Sequence, residues 1–208
     1  TLNIHPHAIL NLGGNTLDAS SGRLEIGGER SFDSISTNAN TTLQVNSYLD
    51  VSRTDSGTST IGNLEMIMLE GDSGSSSLNI DNMSLTVGGS ASLDAKQITL
   101  NSGNLSFQNS PSFSNSSSLS VSGGELILNS GGTFSDTSLN LSSSIFKPSG
   151  TVSVSNGGTL NLDDTSSIVL GGDTTLSQSG TVYWPSIDLN ASTLTLEVTE
   201  MYCCLHQS

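Results

Sequence analysis

Pairs of aliphatic residues separated by one polar residue recur along this chain at a nearly constant interval. Leu78/Ile80, Ile98/Leu100, Leu119/Val121, Leu139/Leu141 and Leu160/Leu162 form the clearest series, with steps of 20, 21, 20 and 21 residues. A second series tracks it: Leu85/Val87, Leu105/Phe107, Leu126/Leu128, a looser Phe146, then Ile168/Leu170. A third, weaker series runs Leu93, Phe113, Phe134, Val154, Leu176. A spacing of two places both apolar residues on one face of a strand and the residue between them on the other. In the first series that outward row reads Asn79, Thr99, Ser120, Asn140 and Asn161. No stretch carries a persuasive period of 3.6 residues, so helices are not expected.

Three short strands per period of about 20 residues predict an all-β fold, a parallel and by expectation right-handed β-helix. A single rung has no partner face for its apolar side chains, so only stacked rungs bury a core. The 208 residues correspond to about ten rungs, which at the usual strand spacing make a rod of about 45–50 Å. Residues 1–198 read as one solenoid, best phased over 75–179, with 199–208 as a non-repetitive tail or cap.

Before residue 75 the phasing is poorer. Leu2/Ile4, Leu10/Leu12 and Leu17 read as one rung, and Leu24/Ile26, Leu43/Val45 and Leu64/Met66 begin the following ones. Met66 lies in a buried strand on this reading. Ser52–Thr60 contains no apolar pair and is expected to protrude as a loop, which makes Arg53 and Asp55 candidate interaction residues. Seven Gly-Gly pairs, several directly after an aliphatic strand end, are expected to form corners where the backbone takes positive φ or approaches the next rung closely.

Charge narrows the partners. Five basic residues against nineteen acidic ones give a net charge of −14, so nucleic acid and anionic membrane, which need a basic footprint, are poor partners. No run of 18 apolar residues predicts direct membrane insertion. The acids are scattered, and no calcium-solenoid nonapeptide or acidic metal loop occurs. A chain that begins without Met or signal peptide fits a mature secreted protein or a piece of a longer one.

Candidate chemistry is sparse. Asp163-Asp164 is the only acidic doublet that paired carboxylate catalysis could draw on, but adjacent strand residues face opposite ways and the pair sits where Asp is an ordinary turn residue. His5 and His7 flank Pro6 without a third ligand nearby. Trp184, Tyr183 and Tyr202 interrupt the Ser/Asn/Gly background near the C-terminal end and are candidate capping, contact or carbohydrate-stacking residues. Cys203 and Cys204 are adjacent, with His206 beside them; a vicinal or intermolecular disulfide suits them better than a metal. Six N-x-[ST] sequons begin at Asn40, Asn82, Asn104, Asn115, Asn140 and Asn190, about as many as the composition gives by chance. No cofactor motif, P-loop or nucleophile elbow is present.

The rungs SSLSVSGGELILNSGGTFSD and SNGGTLNLDDTSSIVLGGDTTLSQSG resemble the passenger domains of bacterial autotransporters and filamentous-haemagglutinin-type adhesins. The resemblance covers residues 75–198 well and 1–74 loosely. It implies an extracellular or cell-surface stalk that adheres or self-associates; the lack of a catalytic constellation in the sequence sets the expectation that it is not an enzyme. The chain departs from that pattern in lacking a membrane-anchoring β-barrel and in its Cys-Cys tail. The expected function is therefore a structural or adhesive solenoid that associates head to tail or binds a host glycan or protein. The alternative is a carbohydrate-binding or polysaccharide-degrading β-helix of the pectin-lyase kind, and a third class, ice binding, would want a flat Thr ladder.

Overall fold

The computed structural model describes residues 3–4, 18–19, 22–26, 30–32, 36–37, 41–45, 48–66, 77–94, 97–115, 118–178, 182–183, 187–188 and 193–198. Among them the only regular secondary structure is parallel β-strand. The chain coils into a β-solenoid whose five consecutive turns between Ser77 and Gln178 each contribute three strand segments.

The first ladder stacks Leu78, Ile98, Leu119, Leu139 and Leu160 in direct register, with Ile80, Leu100, Val121, Leu141 and Leu162 beside them. The second stacks Leu85, Leu105, Leu126, Phe146 and Ile168. Their strands form one 13-stranded sheet, because Ser77–Val87 runs unbroken around the corner that later turns make with two strands. Its alternation of inward and outward side chains slips at Asp81-Asn82, where Asn82 adopts φ 53°.

The third ladder belongs to a separate ten-stranded parallel sheet. Here the structure departs from the sequence reading twice. Leu93, Phe113, Phe134 and Val154 do align, but Leu176 pairs with Val152, and Gln178 stands opposite Val154. The last step is shifted by two residues, which preserves the inward face and so is invisible to a period-2 pattern. The aliphatic pairs of the first 74 residues also belong to this sheet: Leu24, Leu43 and Leu64 align with one another and lead into Ala91. They are therefore third strands of their turns.

Ser52–Thr60 is not a protruding loop. It lies within the strand Tyr48–Ile61, which pairs with Ser77–Val87 at both ends. Ser52 faces Asp81 and Gly57 faces Met83, so five steps of one strand match two of its neighbour. A bulge absorbs the surplus inside the ladder, a usual device where chain lengths differ between paired strands.

The bore is filled by these ladders. Leu105, Phe107, Phe113, Leu119, Leu126 and Phe134 have no exposed surface. Phe113 and Phe134 stack at 4.5 Å with planes 6° apart, and Phe107 meets Phe113 edge-on at 5.7 Å. Both geometries are favourable for ring quadrupoles.

The corners meet the expectation for glycine, with Gly123, Gly131 and Gly157 at positive φ, and extend it to other residues. Asn82, Ser102, Gly123 and Ser143 form one column of left-handed residues, and Asn115, Asp136 and Asn156 form another. Asn and Asp tolerate this region better than other side-chain residues because they bond locally to the backbone. In the first column Gly103 and Gly124, which follow, serve for close approach. A Cβ on Gly103 would collide with the carbonyl oxygen of Met83, and one on Gly124 with that of Gly103.

Candidate functional site

Each turn presents three outward rows, and their chemistry differs. On the first face the polar row is bonded to itself. Asn161 Nδ2 donates to Asn140 Oδ1 at 2.9 Å, Asn140 Nδ2 to Ser118 Oγ at 3.3 Å, and Asn79 Nδ2 to Asp50 Oδ1 at 2.6 Å. The second face carries the half-exposed aliphatics Ile127, Ile145 and Val169 around one ion pair, Lys147 Nζ to Glu125 Oε1 at 2.7 Å. The third face carries short hydroxyl side chains together with Gln44, Glu65 and Asp94.

Among the described residues, two shallow concavities stand out on this surface. One, of about 370 Å³, runs along the stacked Gly103 and Gly124 corners, with Ser102, Asn104, Ser143 and Glu125 at its edges. The other, of about 240 Å³, lies between Thr42, Asn63, Glu65 and Ser92. In it Asn63 Oδ1 accepts from the Ser90 amide at 2.8 Å and Gln44 Nε2 donates to Glu65 Oε2 at 3.0 Å. Both are open and mainly hydrogen-bonding, without an enclosed apolar floor.

The acidic doublet is a turn. Asp163 Oδ1 accepts from Ser166 Oγ at 2.7 Å, Thr165 Oγ1 at 2.9 Å and the Thr165 amide at 3.1 Å. The same carboxylate reaches back one turn, accepting from Ser142 Oγ at 2.8 Å and the Ser143 amide at 3.2 Å. The Ser166 hydroxyl, then that of Ser142, hold its carboxyl far below the usual range; desolvation opposes them, and Thr165 and the Ser143 amide add to the lowering. A carboxylate held this way is a poor proton donor at neutral pH. Asp164, beside it, is exposed.

The structure brings few of the other sequence candidates together. Arg53 and Asp55 lie in the bulged part of Tyr48–Ile61, their side chains outside the described residues. Tyr183 lies in a short strand whose backbone pairs with Asn161, extending the first ladder. Trp184, Tyr202, Cys203, Cys204 and all three histidines lie outside the described residues. Among the described residues no three His, Cys, Asp or Glu side chains converge on a metal position, and no helix is long and apolar enough to cross a membrane.

The feature that sequence inspection missed is on the third face. Outward hydroxyls there stack as Ser112, Thr133, Ser153 and Ser177, with Thr151 facing Thr175 in the neighbouring row. The pairing of Ser or Thr two apart within the third strands was the available signal. It was obscured because the third apolar series is the weakest and its last step shifts.

No family model, curated protein or solved structure matches the chain.

Proposed function

We propose that this chain is a non-enzymatic structural and adhesive segment of an extracellular or cell-surface β-solenoid, of the autotransporter-passenger or filamentous-haemagglutinin kind. The observation that carries the reading is where its outward polar side chains are spent. Asn161 to Asn140, Lys147 to Glu125 and Asp163 to Ser142 all join residues 21 or 22 apart, that is, one turn to the next. A surface that uses carboxylates, amides and amines to tie rungs together is built for a stiff rod, and its contacts with partners are made by repeated faces. Its partners on this reading are further copies stacked end to end, since open strand edges template pairing, or a glycan or protein on another surface.

Negative-stain microscopy over a concentration series tests self-association, and binding to a glycan array and to cells tests adhesion. Rods that neither lengthen nor bind any surface would overturn the proposal. The open groove along Gly103 and Gly124, with Glu125 at its edge, supports the second reading, a polysaccharide-cleaving β-helix. Release of new reducing ends or unsaturated sugars from a polysaccharide panel would favour it over the first.

A further inference from the structure

We propose that the corner Asn156-Gly157 is a self-modification site, where the chain converts an amide to a carboxylate through a cyclic imide and so loosens one turn of the coil. Asn156 is the only asparagine in the chain followed by glycine. In this chemistry the backbone nitrogen of the following residue attacks the asparagine side-chain carbonyl carbon. Glycine shields that nitrogen least, because it has no Cβ. The Gly157 N to Asn156 Cγ bond forms and the Cγ–Nδ2 bond breaks. The amide proton of Gly157 leaves with Nδ2 as ammonia. Water then opens the imide at either carbonyl, giving aspartate or isoaspartate. Nothing but this chain and water takes part, so the inference stands apart from the adhesive reading.

The structure leaves both reacting groups accessible. Asn156 and Gly157 are exposed, and nothing lies within 4 Å of the position that a Gly157 Cβ would take. The Gly157 amide donates to no group among the described residues, so it is open to deprotonation and attack. The Asn156 side chain is held by one bond, Nδ2 to Ser135 Oγ at 2.6 Å. Asn140 and Asn161, by contrast, are tied into the first ladder and precede leucine. The φ values of 53° at Asn156 and 83° at Gly157 match a type I′ turn, for which Asn-Gly is a preferred pair. The Gly158 amide closes that turn on the Ser155 carbonyl at 3.0 Å. Attack requires local opening of the turn, so the reaction is slower here than in an unstructured peptide.

The product acts on the coil through its position. Ser135 pairs with Ser155, so residue 156 stands beside Asp136 of the preceding turn, which is also exposed. A new carboxylate there faces an existing one across a strand spacing of about 4.7–4.9 Å, and like charges set opposite each other destabilise a strand pair. The isoaspartyl form also adds a methylene to the main chain between Ser155 and Gly158. The bond next along the chain, from the Thr159 amide to the Thr137 carbonyl at 3.1 Å, is the one expected to weaken.

The test incubates the full chain at mildly alkaline pH, warm but below its melting temperature, beside a synthetic peptide of Val154–Leu160. Peptide mapping by mass spectrometry follows every asparagine, and electron-transfer fragmentation distinguishes isoaspartate from aspartate. Asn156 is expected to convert before any other asparagine, to a mixture that contains isoaspartate, and more slowly than the peptide. Asn156→Gln, whose longer side chain closes the corresponding ring far more slowly, is expected to abolish conversion at this position. Gly157→Ala is expected to slow it severalfold. Hydrogen exchange at Thr159 is expected to be faster in the converted protein. The site is overturned if another asparagine converts first, if aspartate alone forms, or if Asn156 stays intact while the peptide runs to completion. An unchanged rate in a folded Gly157→Ala protein also overturns it; if that variant does not fold, the order of conversion and the isoaspartate content of the unaltered chain decide. Isoaspartate with unchanged exchange at Thr159 overturns the loosening.

Discussion

Asn161 and Asn140 are 21 residues apart in sequence and one strand apart in space, joined by a 2.9 Å bond from Nδ2 of one to Oδ1 of the other. Inward of them on the same strands, Leu139 and Leu160 stack with 1% and 0% exposure. One strand pair thus shows both devices that hold the coil: an apolar ladder inside and a hydrogen-bonded ladder outside. The inner one dominates, because a net intramolecular hydrogen bond contributes only about 1 kcal/mol, whereas burying a leucine contributes about 1.5–3 kcal/mol.

Leu119→Asp and Asn140→Asp should therefore differ sharply. The first buries an unpaired carboxylate between Ile98 and Leu139, and because turns are stabilised by their neighbours, several should unfold together. The second still accepts from Asn161 and loses only the donation to Ser118, a cost of about 1 kcal/mol or less. Urea titration followed by circular dichroism checks this. Equal midpoints would mean that the inward and outward faces are assigned the wrong way round.

Phe113 touches an aromatic ring on each side of its own position, Phe107 edge-on and Phe134 stacked. Phe113→Ala is expected to cost about 3–5 kcal/mol, as large-to-small changes in packed cores do. Phe113→Leu keeps most of the volume and should cost less than half of that. The measurement is the shift in denaturation midpoint at constant slope; a shift below about 1 kcal/mol for the alanine variant would contradict tight packing here.

Two corner glycines separate steric room from backbone strain. Gly157 has φ +83° with nothing near its missing Cβ, while Gly124 has no positive φ but faces the Gly103 carbonyl oxygen. Gly157→Ala should cost about 1–2 kcal/mol from left-handed strain alone. Gly124→Ala must push two turns apart and should cost more, with loss of the Glu125 amide bond to the Gly103 carbonyl. Hydrogen exchange at Glu125 reports on that bond directly, and protection unchanged in a folded Gly124→Ala protein would refute the close approach.

The sequence revealed the coil wherever strong side-chain alternation coincided with constant loop length. Leu78 to Leu160 met both conditions, and the register follows the 20- and 21-residue steps. Where corner length varies, periodicity alone lost the assignment. Leu24, Leu43 and Leu64 kept a rung-sized spacing, but nothing in spacing says which of three faces a pair belongs to; pairing with Ala91 decides it. Ser52–Thr60 looked like a loop because a bulge breaks alternation as thoroughly as a loop does. The outward hydroxyl rows of the third face were unreadable for a related reason: only the shift at Leu176 brings Thr175 beside Thr151. Among site candidates, the turn role of Asp163 was legible from its place after a strand end, but its bonds to the preceding turn required coordinates.

Asp163 should make the coil acid-sensitive. Its carboxyl is held well below the ordinary aspartate value of about 3.9, first by the Ser166 hydroxyl and then by that of Ser142. The folded state therefore binds this proton less readily than the unfolded state, and the stabilisation is fully present above the unfolded value. It is lost as pH falls from about 4 downward, through the lowered folded value, because protonation of the unfolded chain is then favoured. Asp163→Asn removes the titration and leaves the amide one oxygen for the five donors that now surround the carboxylate. At pH 7 the variant should melt below the unaltered protein, and the difference should shrink steadily from pH 4 to pH 2. Melting curves over that range measure it. A difference that stays constant with pH would mean that the charge on Asp163 contributes nothing, and that its hydroxyl and amide partners hold the turn equally well around a neutral group.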